Sequence, residues 1–448
     1  MPIYDLSVIG AGWAGFNACL RAKELGLKAC LIEAEQIGGT CLNRGCIPTK
    51  ALIQSAKIYS LAKKSSGFGI ELDNPRVNFG KIQERKDKIV RQLAQGMQSR
   101  LSGIDFIKSA ARIISPNDIK VDGQVIKTKF ILIATGSLPV ELPGFKFDSV
   151  RIINSDTALA LEEVPQSLLI IGGGVIGCEF AGLFSTLGSR VAIAEKMPHL
   201  LPDEDKEIAR KIEVIFKKKG IKVNTDTDAS TLDLNSYAKV LVCVGRTPNI
   251  AGLGLDELGV KLEKNRVVVN DYLETSVADI YAAGDCAALV MLAHYAAYQG
   301  VIAVENMVAK RSNSQSHKLQ NNGLASDCQS HKADNPVIPA CVFTDPEIAS
   351  VGLDEEKAKG RGLAITVHKF DFLGSPMARI IEEAEGFIKI ISNRKTQEII
   401  GATIIGPKAT ELIAILTVAV SARLKVSQIR AMIFAHPTLS ESIRESMS

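Results

Sequence analysis

The residue pattern points to an α/β protein built from two strand–turn–helix–strand units and a C-terminal α+β domain. Three observations carry this. A glycine-rich turn occurs twice, as Gly10-Ala-Gly12-Trp-Ala-Gly15 and as Gly172-Gly-Gly174-Val-Ile-Gly177. Each follows a short apolar run and opens a stretch of helical periodicity, which is the setting in which such a turn cradles a pyrophosphate. Each is also followed by a second apolar run that ends in an acid, Glu33 or Glu195, and the last glycine precedes the acid by 18 residues both times. The repeat is therefore of two Rossmann-like folds. Beyond residue 336 strand and helix patterns mix without another glycine turn, as in a separate α+β domain.

The elements follow in order. Residues 3–9 read as a buried parallel strand, then a helix runs to about Gly26 and residues 27–33 form the next strand. Residues 51–65 and 78–101 have helical periodicity, and residues 130–135 form a strand that ends at Gly136. The pattern restarts with a strand at 167–171, a helix to about Gly188 and a strand at 190–195. Residues 280–285 read as a strand ending in Gly-Asp. Residues 311–335 are polar and aperiodic and read as a linker, in which Gln315-Ser-His-Lys318 recurs as Gln329-Ser-His-Lys332. Strands at 337–343, 364–370, 386–391 and 399–405 and helices at 409–424 and 440–446 close the chain.

Composition narrows the class. A length of 448 residues suits about three domains. With 46% hydrophobic and 23% charged residues, the chain can bury a large core without disulfide staples. A net charge of +4, from 53 basic and 49 acidic residues, gives no field for nucleic acid or an anionic membrane. No apolar run reaches the roughly 18 charge-free residues of a spanning helix. The first strand pattern begins within a few residues, which leaves no room for a signal or transit peptide. The expectation is a cytoplasmic protein with no membrane and no nucleic-acid partner. Nine cysteines, an odd number, argue against a structural disulfide framework, and most sit in apolar patterns as small buried hydrophobes.

Cys41 and Cys46 are different. They lie in Gly38-Gly-Thr-Cys41-Leu-Asn-Arg-Gly-Cys46-Ile-Pro-Thr-Lys50, which follows the first strand pair and should lie over the first dinucleotide. Cys-x4-Cys entering a helix places two sulfurs about one turn apart, within disulfide reach if the start of the helix is distorted. A helix N-terminus also lowers a thiol pKa. Zinc needs two more ligands nearby, and none follow at zinc spacing. His317, Cys328 and His331 are too loosely spaced for a metal, so no metal site is expected. Glu33 and Glu195 each stand where a carboxylate accepts from both ribose hydroxyls, and Glu195 would repel a 2′-phosphate, so the second site should prefer NAD to NADP. Near the C-terminus, Thr438-Leu-Ser-Glu441 is a capping box two residues after His436. An imidazole can take a thiol proton and return it, and a carboxylate raises its basicity, so a catalytic role stands beside the capping one.

Together these segments resemble the flavin-dependent pyridine nucleotide–disulfide oxidoreductase family, most closely its dihydrolipoamide-oxidising branch. The resemblance covers nearly the whole chain. It includes the Cys segment, Ala134-Thr135-Gly136, the second glycine turn, Val244-Gly245-Arg246-Thr-Pro248-Asn249, Ala283-Gly284-Asp285 with Met291-Leu292-Ala293-His294, and His436-Pro-Thr-Leu-Ser-Glu441. It implies FAD on the first unit and NAD on the second, with an FAD domain at 1–139 and 250–310, an NAD domain at 140–249, a linker at 311–335 and a dimerisation domain at 336–448. It implies that Cys46 is the sulfur next to the flavin and that Cys41 exchanges with the dithiol. Lys50 and Glu179 would pair near flavin and nicotinamide, and His436, oriented by Glu441, would be the base lent to a partner's disulfide in a homodimer. FAD contacts would come from Gly10, Gly12, Gly15, Glu33, Thr40, Lys50, Ala111, Thr135, Gly136, Ser137, Asp285, Met291, Leu292, Ala293 and His294. NAD contacts would come from Gly172, Gly174, Gly177, Glu179, Glu195 and Gly245. The partner implied is a lipoyl-bearing carrier domain of a 2-oxoacid dehydrogenase or glycine cleavage system.

Two features depart from the family. Between Gly220 and Arg246 there is too little chain for the usual three-stranded β-meander, so the expectation is an NAD domain that is either less stable or covered differently on one sheet face. The 311–335 segment is longer than the usual connection. Rival readings are a glutathione reductase, which would want a basic residue in place of Glu195, and a mercuric reductase, which would want a further C-terminal Cys pair. A non-catalytic flavoprotein subunit or redox sensor would lack one of Cys41, Cys46, His436 and Glu441, and all are present.

Overall fold

A computed structural model describes residues 3–314, 332 and 336–448. The chain divides into two compact units. One comprises Met1–Thr49, Glu84–Val140 and Arg246–Pro336, and the other Lys50–Gln83, Glu141–Gly245 and Val337–Ser448.

The first unit is built on a sheet in which Asp105–Lys108, Ala29–Glu33, Ile3–Ile9 and Gln124–Ile133 run parallel in that order. Asp118–Val121 and Ala111–Ser115 extend it antiparallel, and Ile280–Ala282 pairs with the end of Gln124–Ile133. The central strands are apolar at nearly every position because both faces are buried. Leu6, Val8, Leu31 and Leu132 face one core, and Ile9, Ile32, Ile131 and Ile133 the other. Helix Trp13–Glu24 packs on the first face through Ala14, Phe16, Ala18 and Ala22. Helix Ala293–Ser314 crosses it so closely that a Cβ on Gly300 would lie 2.2 Å from the Ala14 carbonyl oxygen. That helix continues to Ser314, into the segment read as a linker. His317, Cys328 and His331 lie outside the described residues.

In the second unit, Lys222–Asn224, Arg190–Ala194, Ser167–Ile171, Lys239–Val242 and Ile152–Ile153 form a parallel sheet in that order. Helices Val175–Thr186 and Lys206–Lys218 cover one face with Phe180, Phe184, Ile208, Ile212 and Phe216. The other face presents Leu169, Ile171, Ala192, Ala194, Val240 and Val242. Here no β-meander forms among the described residues. Two 3-10 turns, Ala229–Thr231 and Leu234–Ser236, occupy the short connection, each capped by an aspartate, Asp228 or Asp233. Leu232, Leu234 and Tyr237 pack there with Phe145 and Phe147 and shield the face.

The C-terminal part of this unit is an antiparallel sheet ordered Ala340–Val342, Glu347–Gly352, Ile399–Gly406, Phe387–Asn393, Ile365–Asp371. Helices Ala409–Ser421 and Glu441–Glu445 pack on it through Leu412, Leu416 and Ile443. A buried ion cluster fastens this sheet to helix Lys206–Lys218. Lys389, with its side chain only 3% exposed, lies 2.7 Å from Asp205, the N-cap of that helix, and 3.2 Å from Glu207 and Glu355. No helix among the described residues is long and apolar enough to cross a membrane.

Candidate active site

The two glycine turns are the same object built twice, 162 residues apart at both Gly10/Gly172 and Glu33/Glu195. Gly10 and Gly172 take φ of +105° and +104°. A Cβ on either would lie 2.3 or 2.4 Å from a carbonyl oxygen of the neighbouring strand, Ala134 or Cys243. Gly15 and Gly177 face the turn itself, where a Cβ would lie 1.9 or 2.0 Å from the Gly10 or Gly172 oxygen. Gly12 and Gly174 are different. They sit at the helix N-caps with ordinary φ of −70° and −73° and no side-chain cap. A Cβ there would meet nothing within 4 Å. These glycines leave open space in front of uncapped helix amides, where an anionic diphosphate is favoured.

The acids are fixed in matching ways. Glu33 accepts hydrogen bonds from the amides of Ala11 (2.6 Å) and Glu35 (2.8 Å). Glu195, 7% exposed, accepts from Gly173 and from Met197 (2.7 Å). Each carboxylate is thereby locked at the C-terminal end of its strand, beside its glycine turn.

The cysteine segment sits on the first turn. Gly38 donates its amide to the Ala11 carbonyl at 2.8 Å. A Cβ on Gly39 would lie 2.8 Å from the Gly12 Cα, so only glycine permits this approach. The helix break that disulfide reach requires is present. Helix Gly39–Arg44 carries Cys41, Gly45 departs from helical geometry, and helix Cys46–Lys63 begins at the second cysteine. Gly45 folds back so closely that a Cβ would stand 2.9 Å from the Thr40 carbonyl oxygen and 3.3 Å from the Cys41 Cα. Both cysteines are half-buried.

Lys50 lies one turn after Cys46 on that helix. Its ammonium is 2.8 Å from both Glu179 carboxylate oxygens, and Glu179, in helix Val175–Thr186, is only 4% exposed. At the C-terminus, His436 Nδ1 is 2.8 Å from Glu441 Oε2, and the imidazole is 70% exposed within the single chain. Glu441 Oε1 accepts from the Thr438 amide at 3.1 Å, and the Glu441 amide donates to Thr438 Oγ1 at 3.3 Å. The helix N-cap is Ser440, with Glu441 the first helical residue, so these reciprocal bonds brace the turn before the helix and not its third position as the spacing predicts; they and the His contact use different oxygens of one carboxylate. The His436 hydrogen bond, then the Thr438 amide, holds the Glu441 carboxyl below its ordinary value.

The pyridine nucleotide-disulphide oxidoreductase family model matches residues 4–300, and the dimerisation domain of the same family matches residues 338–447. The chain belongs to this family. Its curated relatives include a dihydrolipoyl dehydrogenase of Bacillus subtilis, 36% identical over 99% of this chain and 97% of that one. Another, from Chlamydia pneumoniae, is 38% identical over 98% and 95%. Among solved structures, LpdA from Mycobacterium tuberculosis superposes with a TM-score of 0.87 at 26% identity, covering 99% and 98% of the two chains. The HOCl-induced flavoprotein disulfide reductase RclA from Escherichia coli gives 0.85 at 28% identity, covering 100% and 99%.

Family members bind FAD and a pyridine nucleotide. Two open, uncapped glycine cradles with locked acids fit two such dinucleotides. The other residues expected to contact the cofactors are placed as follows. Ser137 Oγ donates to the Asp285 carboxylate at 2.6 Å. Thr135 and Gly136 lie between strand Gln124–Ile133 and Ser137, and Ala111 opens its own strand. Met291 and Leu292 precede helix Ala293–Ser314, and His294 is exposed on its first turn. Gly245, at φ +125°, follows strand Lys239–Val242. Among the described residues no group of three or more His, Cys, Asp or Glu could hold a metal ion.

Sequence reading missed two residues. Arg246 donates Nε to Ser137 Oγ at 2.8 Å and NH2 to the Ser137 carbonyl at 2.7 Å, which sets the hydroxyl that Asp285 receives. Phe343 donates its amide to Glu179 Oε1 at 3.0 Å. Arg246 lay inside a quoted motif but without a role, and an apolar strand residue such as Phe343 carries no polar signal.

Proposed function

We propose that the protein is a dihydrolipoamide dehydrogenase. It would oxidise a dihydrolipoyl group on a carrier domain to the cyclic disulfide and pass two electrons and one proton to NAD. The observation that favours this over the other disulfide reductases is Glu195. Its carboxylate is buried and fixed by two backbone amides directly after strand Arg190–Ala194, where ribose hydroxyls would donate to it and a 2′-phosphate would be repelled. Full-length identity of 36% and 38% to two dihydrolipoyl dehydrogenases supports the same substrate.

The chain's own residues would divide the work. Cys41 and Cys46 would form the redox disulfide, which the substrate thiolate attacks at Cys41, forming a mixed disulfide and releasing the Cys46 thiolate. The second substrate thiol then displaces Cys41 and closes the lipoyl ring. His436, its Nδ1 held on Glu441 and its side chain exposed, would take the proton from the substrate thiol. Its exposure in the single chain suits a base offered to the disulfide of a second copy, as the dimerisation domain implies. Lys50 and Glu179 would hold a fixed charge pair where hydride passes. FAD, when bound, supplies the two-electron link between the dithiol and NAD.

The test is anaerobic mixing of the holoenzyme with dihydrolipoamide and either NAD or NADP. NADH should form, at least about tenfold faster than NADPH. Equal rates with the two nucleotides, or no nucleotide reduction, would overturn the reading.

A further inference from the structure

We infer that Phe343 is a positioning residue for the Lys50–Glu179 pair, so that the first strand region of the dimerisation domain forms part of the hydride-transfer site. This rests on the function proposed above, in which that pair stands where hydride passes.

Phe343 follows strand Ala340–Val342, inside the segment matched by the dimerisation domain. It touches both members of the pair. Its backbone amide donates to Glu179 Oε1 at 3.0 Å, and its ring lies under the Lys50 ammonium, 4.5 Å from Nζ to the centroid. Glu179 is 4% exposed and Lys50 29%, so water gives the carboxylate little support. A lysine on four flexible carbons carries much rotamer freedom, and one ion pair alone does not fix it. The ring adds a second surface that favours the ammonium, and the amide fixes the carboxylate from a third direction. Ammonium, carboxylate and ring thus define one arrangement. Remove the ring and the charge pair keeps its attraction but loses its orientation, which near-attack geometry requires.

Phe343→Leu removes the π face and keeps apolar bulk and the backbone amide at a half-buried position, so the fold is retained. Phe343→Tyr keeps the face. The first readout is the anaerobic rate at which NADH bleaches the flavin band of the holoenzyme, a step that needs no lipoamide. Phe343→Leu should slow it by about three- to tenfold, in line with a partly desolvated cation–π contact, and Phe343→Tyr should stay within about twofold of wild type. The second readout is the unfolding midpoint of the holoenzyme in a cycle with Lys50→Met, where the two single substitutions should be non-additive. Unchanged bleaching in Phe343→Leu, or additive midpoint shifts, would overturn the clamp. If wild-type holoenzyme is not reduced by NADH at all, the functional reading falls, and the midpoint cycle still decides whether the ring holds Lys50.

Discussion

At the scale of single residues, one carboxylate has two duties that ordinary mutagenesis would confuse. Glu441, the first residue of the last helix, ties the preceding turn to it through Oε1 and its own amide, and holds His436 through Oε2. Glu441→Gln keeps an oxygen for the Thr438 amide but removes the charge facing His436 Nδ1. Turnover with dihydrolipoamide should fall by about 10- to 100-fold, the usual range for losing an orienting partner, with only a small fall in melting temperature at neutral pH from the lost charge on the His436 hydrogen bond. Glu441→Ala loses the Thr438 hydrogen bond as well and should cost about 1 kcal/mol of stability in addition. A melt and an assay on both variants separate the duties; equal melting of the two would mean that the Thr438 bond contributes nothing. The pH dependence has a definite sign. A carboxyl whose folded pKa is held below the ordinary 4.5 stabilises the protein fully above that value. The contribution fades as pH falls through the lower folded value, so acid titration of wild type against Glu441→Gln should converge only there. The same doubling explains what could be read from Thr438-Leu-Ser-Glu441. The spacing fits a cap and a catalytic orienter alike, and only the fold shows that one carboxylate contacts both Thr438 and His436.

At the scale of elements, the glycines of each turn split into those that shape the chain and those that leave room. Gly172 has a positive φ and no space for a Cβ, so Gly172→Ala should destabilise the fold. Gly174 has neither constraint, so Gly174→Ala should shift the unfolding midpoint far less than Gly172→Ala, by no more than the modest preference of an N-cap for glycine over alanine. It should still raise the KM for NAD by about tenfold or more, because the methyl intrudes where backbone approaches the pyrophosphate. Binding measured by titration checks this; unaltered NAD affinity would mean that the ligand does not lie against that cap. These turns were legible in sequence because glycine spacing, flanking strand and closing acid are all local. The cover of the second sheet was not. Leu232, Leu234 and Tyr237 follow neither a two-residue nor a 3.6-residue period, since they hang from irregular 3-10 turns. The shortness of the connection could be read; what fills the gap required the fold. Strand Glu347–Gly352 was missed for a related reason: its flanking residues, Asp345-Pro346 before and Gly352 at its end, read as turn chemistry. Lys389 likewise looks like a solvated strand residue until Asp205, 184 positions earlier, closes on it. Lys389→Met would leave Asp205 buried without its counter-charge and should cost about 3–5 kcal/mol. Lys369→Met, on the exposed edge of the same cluster, should cost about 1 kcal/mol or less. Similar denaturation curves for the two variants would show that burial does not govern this cluster.

At the scale of the whole molecule, the proposed mechanism would draw its redox and acid–base groups from opposite ends of the chain. Cys41 and Cys46 lie in the first fifty residues, and His436 in the last thirteen. The imidazole is 70% exposed within its own chain, and the domain that carries it belongs to a dimerisation family. In a symmetric dimer whose sites are shared, each site takes its disulfide from one copy and its base from the other. That arrangement has a consequence a self-contained site lacks. Cys46→Ser and His436→Ala should each inactivate the homodimer. Co-expressed with two different tags and purified as the mixed dimer, they should restore activity, because one site collects both lesions and the other collects neither. The recovered rate should approach about half that of wild type, one working site of two. If His436 instead served the disulfide of its own chain, every site in the mixed dimer would carry exactly one lesion and the preparation would stay inactive. The FAD content of the mixed dimer, read from its visible spectrum, guards the comparison, since neither substitution touches the glycine turn that would hold the flavin. A fully flavinylated mixed dimer without turnover would therefore place the base and the disulfide in the same chain.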